Sequence, residues 1–347
     1  MIDVNVNNNL KIRGKTMNFK KCFLVIVVIM ISIVFASASP SMAAQKEFIA
    51  IATGGTAGTY YPLGGALAQA ISTKLKDVIV TAQSGNASIA NINLIKQHEI
   101  ETAFVQNNTA YDAYNGVAQF EGNAVKNIRV IASLYPEAVQ IVALKSANIK
   151  SVADLKGKRV IPGDMGSGTA IDAGNVVSVY GITFEDFGQL DWLSFAGVAQ
   201  RLKDNQADAG FVTAGLPTAA LLELASNTPV SIVPISDDMN EALAKKWPFY
   251  AKVIIPGGTY SGMPEDIATT AVMAQWVVDE DVSEELVYKL TRALWESGGD
   301  KDLSGAEIMA QTHSKGKEIT LKTALLGVAI PLHSGAEKYY KEKGIIK

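Results

Sequence analysis

The sequence predicts an α/β fold arranged as two lobes, and three observations carry that prediction. Short apolar runs alternate with longer amphipathic segments, the pattern left by strands and helices of largely parallel sheets. A chain of 347 residues with 48% hydrophobic content exceeds one ordinary domain and supplies ample material for two cores. Two long extended stretches, Ser133 to Leu144 and Phe249 to Gly258, read as crossings between lobes. They assign residues 45–135 plus 252–347 to lobe I and residues 136–251 to lobe II.

Each element follows from local pattern. Glu47 to Thr53, Val78 to Gln83 and Thr102 to Gln106 are short apolar runs that read as strands. Between and after them, Leu63 to Leu75, Ala87 to Lys96 and Thr109 to Tyr114 read as helices. Ile128 to Tyr135 then runs into Val139 to Leu144 as one extended path. In the second half, Lys158 to Ile161 and Ala209 to Thr213 are strands. Ser151 to Gly157, Thr169 to Tyr180, Gly197 to Asn205 and Pro217 to Ala225 are helices. From Pro264 onward the chain reads as helical, through EDIATTAVMAQWVVDE, SEELVYKLTRALWES and GAEKYYKEKG, and no internal repeat occurs.

Residues 1–44 form an upstream extension and a leader. Lys20 and Lys21 precede an apolar run from Cys22 to about Ala36, and small residues offer cleavage after Ala43 or Ala44. That is the pattern of a secretory signal peptide starting at Met17. Cys22 begins the run instead of ending it, so no lipid anchor is implied, and an exported, anchorless protein points to the periplasm. The leader holds five of the 31 basic residues and one of the 34 acidic ones, which leaves 26 basic against 33 acidic. Such a balance excludes a polycation that grips nucleic acid. The only Cys lies in the leader, so thiol catalysis, disulfides and Cys-based metal clusters are excluded from the mature chain.

Five times, an apolar strand ends in a cluster of Gly, Ser, Thr, Asn or Gln that opens a helix. The clusters run Thr53 to Gly65, Gln83 to Ser88, Gln106 to Ala113, Pro162 to Ala170 and Thr213 to Ala220. Ligands of parallel α/β sheets bind at such carboxyl ends, and free N–H groups at helix starts attract anions. Any one cluster is equally explained as a cap or a turn. Five together point to a binding cleft. The hydroxyls of Thr56, Ser84, Ser167 and Thr169 are candidate donors to a carboxylate, with Gly166 and Gly168 allowing close approach. Asp164 either meets a ligand ammonium or caps the turn, and Tyr60 or Tyr61 supplies an aromatic wall. Arg129, Arg159 and Arg201 lie near the loops in sequence, but no Arg lies within them.

Catalytic motifs are missing in convincing context. No serine sits in G-x-S-x-G, and the S-x-x-K at Ser314 to Lys317 lacks its partner motifs and reads as a solvated turn. His98, His313 and His333 are isolated, with His98 read as solvated and His333 as structural, so no metal site, cofactor or catalytic residue is predicted. Trp276, Tyr288 and Trp295 recur at helical spacing and read as core.

Six strings in order, ATGGTAGTYYPLGGALA, FVQNNTAYDA, DLKGKRVIPGDMGSGT, AGFVTAGLPTAAL, PGGTYSG and PLHSGAEKYYKEKGI, resemble the TAXI-type solute receptors of TRAP transporters across the mature chain. The resemblance implies a type II periplasmic binding protein, two α/β lobes joined by two hinge crossings around a cleft. It implies a monomer that closes on a small organic anion, a glutamate- or glutamine-like amino acid or a four- or five-carbon dicarboxylate or oxo acid. The partners implied are integral TRAP membrane subunits, often fused, that use an ion gradient. It places Thr56, Tyr60, Ser84, Asn86 and Gln106 at the ligand from lobe I. From lobe II it places Ser167, Thr169 and the Thr213 to Pro217 loop, including Gly215. Asn108 and Ala170 stand where members of that family often carry acids, which predicts a less acidic cleft rim. The alternatives are a receptor for an ABC importer of sulfonates or pyrimidine-like compounds, or a sensor input domain. An enzyme using Asp164 or Asp172 as base is disfavoured, because nothing pairs an acid with a base.

Overall fold

The extended path through Ser133 is the spine of the protein. The structure, a computed structural model, describes residues 9–12, 15–18, 46–299 and 302–347. Residues 1–45 form a unit of their own, in which β1 (Asn9–Ile12) pairs antiparallel with β2 (Lys15–Asn18). The apolar run and cleavage sites of the leader lie outside the described residues.

From Lys46 to Lys347 the chain is one compact unit. It begins with β3 (Glu47–Ala52), α1 (Tyr60–Lys74), β4 (Val78–Gln83), α2 (Ser88–Lys96), β5 (Thr102–Gln106) and α3 (Asn107–Asn115). The long β6 (Ile128–Leu144) leads to β7 (Arg159–Ile161), α4 (Gly168–Val179), β8 (Gln189–Leu190), α5 (Phe195–Lys203) and β9 (Ala209–Ala214). Next come α6 (Ala219–Asn227), β10 (Val230–Val233), α7 (Asp237–Lys246), β11 (Ala251–Ile255) and β12 (Ile267–Asp279). The chain closes with α8 (Glu284–Trp295), α9 (Gly305–Thr312) and α10 (Ser334–Glu342).

One sheet runs β4-β3-β5-β12-β6-β9-β7-β8, with β10 added to β6 and β11 to β12. Its flanks are parallel, as predicted, but β5, β12, β6 and β9 are antiparallel neighbours. The mixed centre has a simple cause: β6 and β12 carry the chain across the molecule in opposite directions and lie side by side. β6 pairs with β12 from Ile128 to Ala138 and with β9 from Ala138 to Ala143, so one strand serves both ends.

The buried apolar residues separate accordingly. Core I is built from residues up to Tyr135 and from Ala274 onward, including Leu67, Phe104, Trp276 and Leu290, with Ile92, Val105 and Val130 on the other sheet face. Core II uses residues from Ala138 to Val272, including Val139, Val176 and Phe211, with Val142, Val198 and Leu221 opposite. Phe249 to Gly258 is therefore not the second crossing. Among the described residues its strand β11 is an edge that pairs only with β12, and Tyr250, Ile255, Tyr260 and Met263 pack in core II. The return crossing is β12, within the segment that reads as helical from sequence. Most of β12 is buried on both faces between β5 and β6, so the alternation that marks a half-buried strand is absent. Its β-branched and aromatic content (Thr269, Thr270, Val272, Trp276, Val277 and Val278) is the composition of a strand.

Candidate functional site

The carboxyl ends of β3, β4, β5, β7 and β9 meet at a cavity of about 180 Å³. Nine predicted residues line it: Thr56, Tyr60, Asn86 and Gln106 from the core I side, and Asp164, Ser167, Gly168, Thr169 and Thr213 from the core II side. Ser194, Phe195 and Ala196, at the start of α5, also line it. Four other predicted residues do not reach the cavity. Ser84 is exposed outside its lining. Gly166, Gly215 and Pro217 instead join the two sides through their carbonyls. Gly166 accepts from the N–H groups of Ile89 (3.1 Å) and Ala90 (3.2 Å), Gly215 accepts from Thr59 Oγ1 (3.2 Å), and Pro217 meets His313 Nε2 at 3.0 Å. Ser314 Oγ donates to the Leu216 carbonyl (3.0 Å), so the S-x-x-K segment is a contact between the cores and not a solvated turn.

The five helix starts are not equivalent. Gly166 consumes the first N–H groups of α2. At α4, Ser167 Oγ accepts from Ala170 N–H and donates to the Asp164 carbonyl, so this hydroxyl is a cap more than a ligand donor. Among the described residues no acceptor meets the N–H groups of Gly168 and Thr169, leaving the positive end of α4 facing the cavity. Tyr60 walls the cavity, whereas Tyr61 is partly exposed.

The cavity holds an acid that the sequence reading does not place there. Glu137 of β6, 2% exposed, lines the cavity and accepts a hydrogen bond from the Tyr60 hydroxyl at 2.7 Å. Burial holds its carboxyl well above the usual carboxylate range, with Tyr60 drawing it partly back. Just behind, Asp172 of α4 is fully buried. It accepts from Gln106 Nε2 (2.9 Å) and Asn108 Nδ2 (3.0 Å) across the cleft and from the Tyr250 hydroxyl (2.7 Å). Asn108 thus does not remove an acid from the site; it binds one supplied by the opposite side. Desolvation pushes Asp172 up to about 6 against those hydrogen bonds. None of the three arginines reaches the cavity: Arg129 pairs with Glu280, Arg159 with Asp208 (2.7 Å) and Arg201 with Gln206 (2.5 Å). The lining holds two carboxylates, Glu137 and Asp164, and no basic side chain.

Sequence reasoning missed Glu137, although a signal was present. It is the only acid in the 17-residue apolar strand IRVIASLYPEAVQIVAL, and a carboxylate buried in such a strand needs a partner. His98 is also not simply solvated, since its Nδ1 lies 2.6 Å from Asp279 Oδ2. His333 is structural as predicted, capping α10 by accepting from Gly335 N–H. Trp276 is core, though on a strand.

The Asp172 shift sets a pH dependence. An acid whose folded value lies near 6, above its ordinary 3.8, binds more protons folded than unfolded between those values. Its contribution to stability therefore falls as pH rises from about 4 to about 6 and is level above. The expected result is that the melting-temperature difference between wild type and Asp172→Asn declines across that window; a flat difference would contradict the assignment.

The chain matches the model of the NMT1-like family over residues 51–344. It belongs to the NMT1-like family. Among solved structures, PhnD1 from Prochlorococcus marinus, in complex with methylphosphonate, aligns with this NMT1-like protein at a TM-score of 0.52 and 14% identity, covering 86% of this chain and 99% of PhnD1. That likeness establishes the α/β fold of type II periplasmic binding proteins. The aliphatic sulphonate binding protein SsuA from Escherichia coli aligns at 0.44 and 13% identity, covering 87% and 94% of the two chains. The alkanesulfonate-binding SsuA from Xanthomonas axonopodis pv. citri, bound to MOPS, aligns at 0.47 and 13%, covering 88% and 96%.

The family match corrects the TRAP-receptor resemblance, and with it glutamate and dicarboxylates as ligands. The physical reason is that the six strings are mostly short Gly-, Ser- and Thr-rich strand ends. Helix starts facing a cleft demand that composition in more than one binding-protein family. No helix among the described residues is long and apolar enough to cross a membrane.

Proposed function

We propose that this NMT1-like protein is a periplasmic solute-binding receptor that captures a small oxyanion-bearing solute and delivers it to the membrane components of an ABC-type importer. Its two lobes are the halves around core I and core II, with β6 and β12 as hinges. The nine lining residues predicted from sequence contact the solute, and binding proceeds without turnover. One observation carries the reading: the cavity lies between two separately packed cores that are fastened across it by hydrogen bonds at Gly166, Gly215 and Asp172. The start of α4 supports an oxyanion, and the methylphosphonate-bound protein of like fold supports the class of solute.

A ligand that binds only the folded, closed form stabilises it by RT ln(1 + [L]/Kd), about 2.7 kcal/mol at a hundredfold excess over Kd. For a chain of this size that raises the melting temperature by roughly 4 °C. A thermal-shift panel of alkyl and aminoalkyl phosphonates and sulfonates on ligand-stripped protein is expected to contain such a member. A panel with no member shifting the transition would contradict the receptor reading.

A further inference from the structure

The inner end of the cavity is built from hydrogen-bond acceptors. Glu137 presents a carboxyl group whose Oε2 already receives the Tyr60 hydroxyl, and no basic side chain lines the cavity. Gln106, 3% exposed, also lines it. Asp172 fixes which face of that amide the cavity sees: a carboxylate only accepts, so Gln106 must direct Nε2 to Asp172 Oδ2. Its carbonyl oxygen Oε1 is left buried with no partner among the described residues. Ser88 belongs to the same lining, its Oγ receiving the Gln106 backbone N–H at 3.0 Å. A buried acceptor without a donor is unfavourable, and a buried carboxyl without a cation is held toward its neutral form until a cation arrives.

We infer that this acceptor end takes a protonated, N–H-rich nitrogen group of the solute, held between Glu137 and Gln106 Oε1, while the anionic end faces the start of α4. The solute is then a zwitterion of the aminoalkyl phosphonate or sulfonate kind, not a plain oxyanion. An unaccompanied anion would bring negative charge into a cavity that already holds two carboxyl groups, whereas the ammonium of a zwitterion donates to the orphaned Gln106 Oε1 and gives Glu137 a cation. Asp172 acts here as a positioning residue through Gln106. The inference rests on the receptor reading above and narrows its ligand.

Titration calorimetry with two matched pairs tests it: 2-aminoethylphosphonate against ethylphosphonate, and 2-aminoethanesulfonate against ethanesulfonate. In wild type, the amine of at least one pair is expected to bind ten times more tightly than its plain partner, or better. Glu137→Gln keeps the size of the side chain and an acceptor for Tyr60. It is expected to weaken the amine at least tenfold and to leave the plain partner unchanged or stronger, with an unliganded melting temperature showing that the variant folds. Plain members binding as tightly as amines, or an amine preference that survives Glu137→Gln, would overturn the inference and leave the receptor reading standing. Binding of neither series, with no thermal shift, would overturn both.

Discussion

Gly168→Ala is expected to reduce solute affinity at least a hundredfold while leaving the chain folded. A Cβ at Gly168 would lie 1.8 Å from Gln106 Oε1, 2.4 Å from Gln106 Cδ and 2.9 Å from Ser88 Oγ. All three atoms belong to the core I side, whereas Gly168 opens α4 on the core II side. Ordinary contacts between such atoms are about 3.5 Å, so closure over an alanine requires Ser88 and the Gln106 amide, which Asp172 holds, to give way. On its own side the change is mild, because Gly168 does not adopt a left-handed backbone. Affinity is thus separated from stability. Calorimetry and a thermal melt check both, and a Gly168→Ala protein that binds as wild type does would mean that the solute is not enclosed between the lobes.

The second large effect concerns β12. Trp276→Ala is expected to destabilise the protein by about 3–5 kcal/mol, the range for deleting a large buried aromatic. Trp276 is fully buried in core I, in register with Phe104 on one side and Ala132 on the other. No neighbouring strand can collapse into the space without distorting the sheet. Urea unfolding measures the loss. A change below about 1 kcal/mol would show that this segment does not form the central strand, since exposed positions usually change stability that little.

The parts of the fold legible in the sequence are those where burial is one-sided or an element is bracketed by turn residues. β3, β4 and β5 are apolar runs closed by Gly, Ser or Asn, and each was recognisable from those boundaries. β6 was legible because a 17-residue apolar path with Pro136 inside it cannot be a regular helix. β12 was not, because a strand buried on both faces shows neither alternation nor a turn at its middle. The cleft was legible in its loops, since five polar helix openings at strand ends have few other uses together. Their separate roles were not: whether an opening faces the cavity, as at Gly168, or joins the two sides, as at Gly166 and Gly215, depends on which core stands opposite. Glu137 and the Gln106–Asp172 bond were hidden for the same reason, as each acquires its meaning from a partner more than 60 residues away. The family resemblance failed where it relied on those same loop strings.

The central claim, closure of two lobes around a solute, is tested most directly by small-angle X-ray scattering with and without a solute that raises the melting temperature. The radius of gyration is expected to fall when that solute is added to wild type and to stay unchanged with Gly168→Ala. Identical wild-type scattering in the two conditions would contradict the claim.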